Sequence, residues 1–192
     1  RHLPQVDGFR DRYGYNNILY IAAGELAAAA AGTSWDSLLE ERLFGPLGME
    51  RSTSRAAVVE TRGNVAHSHT RVDGRVTAIP RRDYDAIGGA GAVWSSAHDM
   101  ARWMGMHLGQ GSYRGTRVLS EARVREMYQP TPVMPIDRVT NRLHPTNHFQ
   151  GYALGWRVQD LNGGRLVHHS GSINYTRTHV TMVPEEGIGI VG

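Results

Sequence analysis

Two hydrophobic rhythms divide this chain. Through much of the first 129 residues apolar side chains recur every three or four positions, the period of a helix, whereas beyond residue 150 they tend to alternate, the period of a strand. After an irregular entry over residues 1–12, the run Ile18-Leu19-Tyr20-Ile21-Ala22-Ala23 continues Ala-rich to Ala31. Alanine has the best helix propensity, Asn16 or Asn17 can serve as N-cap, and Gly32 is a natural stop. Leu19, Ala22, Ala23 and Leu26 share one stripe, which predicts a buried helix with Tyr15 and Asn17 held at its mouth. A second helix, capped by Thr33 or Ser34 with Asp36 in its first turn, is expected through Leu43 and to break at Gly45-Pro46-Leu47-Gly48-Met49.

Residues 57–80 alternate weakly about Val72-Asp73-Gly74-Arg75-Val76, a short hairpin signal. Gly88-Gly89-Ala90-Gly91-Ala92 reads as a loop whose lack of side chains permits close packing or ligand approach. Ser96 and Asp99 match a capping box, and the helix behind them carries Met100, Trp103, Met104 and His107 on one stripe, a core pattern. Ser120 caps a further helix that should reach Gln129. Residues 130–148, with Pro130, Pro132, Pro135 and Pro145, read as a long loop.

The alternating part begins at Gly151 to Val158, turns at Asn162-Gly163, and runs on as strands 165–172, 178–183 and 187–191. Val167, His169 and Gly171 fall on one face of the second of these. A glycine inside a strand marks close approach by a ligand or by another backbone, so His169-Ser170-Gly171-Ser172 suits a substrate-lining edge strand. A hairpin bearing a surface His pair is the alternative reading of the same residues.

Hydrophobic content of 40% and charged content of 20% are those of a globular protein. No run approaches the roughly 20 apolar residues that span a bilayer. The formal charge is +3, but the basic residues are scattered and form no stripe, which argues against a nucleic-acid partner. There is no Cys, and all 21 basic residues are Arg. Chemistry that needs a lysine cannot be completed by these residues. His67 and His69 have the i, i+2 spacing of a zinc pair, but no third ligand has matching spacing, so neither a metal nor a cofactor is expected.

Several separated stretches resemble, in order, the serine β-lactamase and DD-peptidase superfamily, in the branch of class C β-lactamases, D-aminopeptidases and esterases. Tyr15-Asn16-Asn17 is similar to its Tyr-x-Asn motif, and Phe44 to Met49 to its Pro-Leu-Gly-Met turn. Gly88 to Gly91 with Ser96 to Arg102 is similar to its Gly-Gly…Ser-x-Ala-x-Asp-hydrophobic-x-Arg segment. Tyr152 to Trp156 is similar to its Tyr-x-Leu-Gly-Trp strand, and His169-Ser170-Gly171 stands where the family has Lys-Thr-Gly or His-x-Gly. The resemblance implies an α+β fold of the β-lactamase/transpeptidase-like type, an antiparallel sheet with a helical subdomain. Residues 1–150 would form the helical part, with the Tyr-x-Asn motif and long loops, and 151–192 the sheet, both within one domain of a parent incomplete here at both ends.

It also implies roles. Tyr15 would be the acid/base phenol, and the Ser172 backbone N–H one oxyanion donor. Asn17, His169, Ser170 and Gly171 would bind a small-molecule or short-peptide substrate. Tyr175 departs from the family, whose members usually carry Gly there. The larger departure is the missing Ser-x-x-Lys. The expectation is therefore an internal segment of a longer hydrolase, inactive alone, whose nucleophile lies in a preceding segment. A penicillin-recognising sensor without a nucleophile is the competing expectation. The family leans the compartment towards periplasm or secretion.

Overall fold

The computed structural model describes residues 7–192, so the first half of the expected irregular entry lies outside the described residues. Helix α1 (Asn17–Ala31) begins where the Asn16 side chain accepts from the Ile18 and Leu19 N–H groups, and it ends at a left-handed Gly32. The stripe expected to be buried is not. Leu19, Ala22, Ala23 and Leu26 are all exposed, and the buried residues are Gly24 and Ala28. The reason is the partner. Helix α1 packs against a short helix whose Gly89 would, with a Cβ, meet the Tyr20 carbonyl oxygen at 2.3 Å and the Gly24 Cα at 3.2 Å. Backbones that approach so closely need small residues on the buried face.

Helix α2 (Trp35–Leu39) is capped by Ser34 and does not break at Gly45. It widens into a π-helical turn, Glu40–Phe44, and continues as α3 (Gly45–Leu47), where Pro46 sits in the first turn and its missing N–H costs little. The stop is Gly48, at φ 64°. Helix α4 (Ala56–Glu60) follows. Strands β1 (His69–Val72) and β2 (Arg75–Ala78) then pair about Asp73-Gly74, both with positive φ. The glycine-rich stretch expected as a loop is helical, a 3₁₀ turn Asp85–Ile87 leading into α5 (Gly88–Gly91), and this is the element that packs on α1.

Helix α6 (Ala97–Leu108) has the Ser96 cap but not the full capping box. The Asp99 carboxylate instead accepts from the Arg51 N–H (2.8 Å) and the Ser52 hydroxyl (2.9 Å). Arg102 donates to the Leu47 and Gly48 carbonyls. The Asp and Arg of this segment therefore fasten α6 to the end of α3 and the chain after it. A small hairpin, β3 (Ser112–Tyr113) and β4 (Thr116–Arg117), precedes α7 (Glu121–Met127), which stops short of Gln129. The expected loop over 130–148 contains α8 (Arg138–Leu143), begun by an Asp137 cap.

The single strand expected from Gly151 is broken by a turn with Gly155 at φ 79°, giving β5 (Gln150–Tyr152) and β6 (Arg157–Leu161). With β7 (Gly164–Ile173), β8 (Thr176–Val183) and β9 (Ile188–Val191) they form a five-stranded antiparallel meander in the order β5-β6-β7-β8-β9. The main core joins Met104, Val124 and Tyr128 of the helical part to Trp156, Val158, Val167, Val180 and Met182 of the sheet. Each such buried side chain contributes roughly 1.5–3 kcal/mol. Among the described residues no helix is long and apolar enough to cross a membrane.

Candidate active site

The hairpin of β7 and β8 closes on a two-residue turn, Asn174-Tyr175, flanked by the pair Ile173 and Thr176. In such a hairpin the flanking pair is hydrogen-bonded, and bonded and non-bonded pairs then alternate. His169 and Gly171 therefore direct their backbone groups to β8, while those of Ser170 and Ser172 point the other way. On that side β6 ends its pairing with β7 at His168, opposite Arg157. The Ser170 and Ser172 N–H groups and the Ser172 C=O consequently form a free strand edge among the described residues, while the Ser170 carbonyl faces the His169 imidazole. Beside Gly171 the space is open: a Cβ there would meet no atom within 4 Å, so the glycine accommodates no neighbouring backbone and leaves room for a ligand.

The opposite wall comes from the entry to α1. Tyr15 stacks on His169 with ring centroids 6.0 Å apart and planes at 27°. Tyr152 of β5 meets both, 6.2 Å from Tyr15 and 6.1 Å from His169, and its hydroxyl lies 3.1 Å from His169 Nε2. Tyr13 adds a further ring 5.0 Å from Tyr152, and Arg157 both donates to the Tyr13 hydroxyl (3.3 Å) and lies over its ring. Tyr13, Tyr15, Tyr20 and Tyr152, with Pro132, line a small cavity of about 200 Å³.

Burial sets the protonation states. It lowers the His169 imidazole below its ordinary value, with the Arg157 cation adding to the effect and the Ser170 carbonyl opposing it. Burial also raises the Tyr152 phenol, as do the neighbouring phenols of Tyr20, Tyr15 and Tyr13. Phenol and imidazole are thus neutral partners in one hydrogen bond. His168, on the other face of β7, is lowered to about 4 by burial and by His179, and lies 3.3 Å from the Gln159 amide oxygen.

Of the residues singled out in sequence, the fold brings together Tyr15, His169 and the Ser170–Ser172 edge. Asn17 is exposed at the first turn of α1, and its side chain makes no hydrogen bond or ring contact among the described residues. Ser172 borders a separate cleft at the hairpin tip. Sequence reasoning missed Tyr13, Tyr152 and Arg157 as site residues. The available signal was aromatic clustering: Tyr13 is two residues from Tyr15, and Tyr152 begins a motif that served only as a register mark.

A family model described as Beta-lactamase matches residues 1–192. The unguisins hydrolase ungD of Aspergillus violaceofuscus (strain CBS 115571) is 28% identical over 203 residues, covering 100% of this chain and 35% of that protein. Penicillin-binding protein 4 of Amycolatopsis lactamdurans is 30% identical over 175 residues, covering 88% and 43%. The octameric penicillin-binding protein homologue from Pyrococcus abyssi shares the fold, with a TM-score of 0.83 at 24% identity over 97% of this chain and 39% of that one. The chain thus spans well under half the length of these relatives.

Proposed function

Because the chain belongs to the Beta-lactamase family, we propose that it forms part of a serine hydrolase working through an acyl-enzyme on an ester, a D-amino-acid peptide or a β-lactam-like carbonyl. The observation that carries this reading is the convergence of the Tyr15 phenol and the His169 imidazole beside the free backbone edge of β7. A substrate can lie along that edge as an added strand, with Gly171 giving it room.

In this reading a serine hydroxyl, supplied with its lysine by residues outside these 192, attacks the carbonyl. Tyr15 relays the proton: its phenol receives it from the serine hydroxyl while passing its own to the lysine amine, and the reverse relay delivers a proton to the leaving group. The Ser172 N–H and the nucleophile's own N–H hold the developing oxyanion. Ser170 borders the same edge, and Asn17 hydrogen-bonds the substrate's amide once it is bound. His169, held neutral, orients the two tyrosines and offers little to a carboxylate, which favours esters or peptides over β-lactams.

The test is covalent labelling of the protein that contains this chain. A fluorophosphonate or penicillin probe should attach with one-to-one stoichiometry, and the 192 residues alone should not react. Absence of labelling by both probes would sink the hydrolase reading and favour a binding module. Turnover of p-nitrophenyl esters should also exceed that of nitrocefin.

A further inference from the structure

Tyr15 stands one residue before the Asn16 cap of α1, in a stretch with no regular structure. Tyr13 and Gly14 make no backbone–backbone hydrogen bond among the described residues. A Cβ on Gly14 would meet no atom within 4 Å, so packing does not restrain that glycine either. Glycine has more conformational freedom to lose than any other residue. Backbone bonding therefore leaves the segment that carries Tyr15 loose on its upstream side. Side chains have to hold it.

The hold is at Tyr13. Its ring centroid lies 5.0 Å from that of Tyr152 and 6.4 Å from that of Tyr15. Arg157 donates to its hydroxyl (3.3 Å) and lies over its face, 5.5 Å from the centroid. Arg157 is a firm base for such a contact. It opens β6 and pairs with Tyr152 of β5 on one side and with His168 of β7 on the other. It is half-buried, yet makes no ion pair among the described residues. Asp137 feels its charge, but that carboxylate is spent on the Thr140 N–H (2.7 Å) as the cap of α8. The one side-chain hydrogen bond of Arg157 goes to a neutral phenol, and the planar guanidinium suits the face of that ring.

We infer that Arg157 is a positioning residue for the Tyr15 phenol: by holding Tyr13 on the first residue of β6 it sets the entry segment, and with it the Tyr15 ring, against His169. The inference rests on the hydrolase reading above for what Tyr15 does there. It gives the cation beside the site a task that needs no acid on the substrate, since the Tyr13 ring takes the guanidinium face.

The experiment is a pair of mutant cycles on the protein that contains this chain, with p-nitrophenyl acetate as substrate. Arg157→Met keeps an apolar stem but removes the charge and the donors. It should lower kcat by about 10–100-fold with KM little altered, the scale on which misplacing a catalytic group is felt. Tyr13→Ala should cost at least as much, and the double variant should be no worse than Tyr13→Ala, because both break one contact. In a Tyr15→Phe background, Arg157→Met should have no further effect on kcat. Arg157→Lys, which returns a cation over the ring, should recover part of the loss. Neither Arg157 nor Tyr13 belongs to a core cluster, so the variants should fold, and urea midpoints taken alongside check it. Losses that add in either cycle, or wild-type kcat in Arg157→Met, overturn the inference while leaving the hydrolase standing. If the wild-type protein turns over no ester, the hydrolase reading fails, and trypsin decides whether Arg157 holds the segment. Cleavage of the folded protein after Arg12 should be about tenfold faster in Arg157→Met, as loss of one hydrogen bond and one cation–π contact allows. Equal rates overturn it.

Discussion

His107 and His169 each meet a tyrosine hydroxyl, at 2.8 Å from Tyr128 and 3.1 Å from Tyr152. Burial holds both imidazoles below their ordinary value and pushes both phenols up. The surroundings differ. His107 is 1% exposed, walled by Trp103 at 4.5 Å and Trp156 at 5.4 Å, and belongs to the packing of α6 on the sheet. His169 has Tyr15 and Tyr152 about it, but the strand that carries it runs on past the end of β6 as a free edge. One His–Tyr pair fills a core; the other stands where a substrate can reach. Access and unspent hydrogen-bonding groups separate them, and residue type does not.

The largest effect should come from the accessible side. Tyr15→Phe is expected to lower kcat/KM on a p-nitrophenyl ester by about 10²–10⁴-fold, the usual weight of general acid–base catalysis. Tyr15 is 51% exposed and its hydroxyl has no hydrogen bond among the described residues, so stability should move by less than about 0.5 kcal/mol. Retained activity would reduce Tyr15 to a ring that merely packs on His169. The mirror experiment is His107→Ala. Removing that imidazole leaves a cavity and an unpartnered Tyr128 hydroxyl in a dry core, a loss of about 3 kcal/mol. Urea denaturation should register it, while activity per folded molecule stays near wild type.

Acid sharpens the same contrast. His107 titrates near 4 in the fold, lowered by burial from 6.5. Between those values the unfolded chain binds the proton and the folded one does not, so stability falls as pH drops through that window and is intact above it. At pH 5 the deficit from His107 is about 2 kcal/mol. His168, also lowered to about 4, acts in the same direction. The urea midpoint should therefore decline from pH 6.5 downward, and His107→Phe should flatten the decline. An unchanged slope in that variant would mean that His107 is protonated inside the fold.

What the sequence revealed follows from how local each signal is. The Asn16 and Ser34 caps, the Asn162-Gly163 turn and the α6 stripe depend on neighbours within a few residues, and all are present. The buried face of α1 was misread because what covers it, the glycine backbone of α5, lies some sixty residues away and carries no side chain to signal contact. Pro46 misled for a similar reason, since the π-helical turn before it is invisible in composition. In the site, motif register pointed to Tyr15 and His169. Tyr152 escaped notice because it acts across strands: only pairing of β5 with β6 and of β6 with β7 brings its hydroxyl to His169.

The finest discrimination between the two pairs is removal of each hydroxyl alone. Tyr128→Phe strands the His107 Nδ1 atom where no water can replace the lost partner, and should cost about 1–3 kcal/mol. Tyr152→Phe removes the same kind of bond beside an open strand edge, where water can reach Nε2, and should cost less than about 1 kcal/mol. Its consequence belongs to the site instead. With that hydroxyl gone the His169 ring is no longer held against Tyr15, and kcat should fall a few-fold with KM little altered. Melting curves of the two variants side by side read the difference directly. Equal losses would mean that the edge of β7 is as dry as the core, and His169 would then be a packing residue like His107.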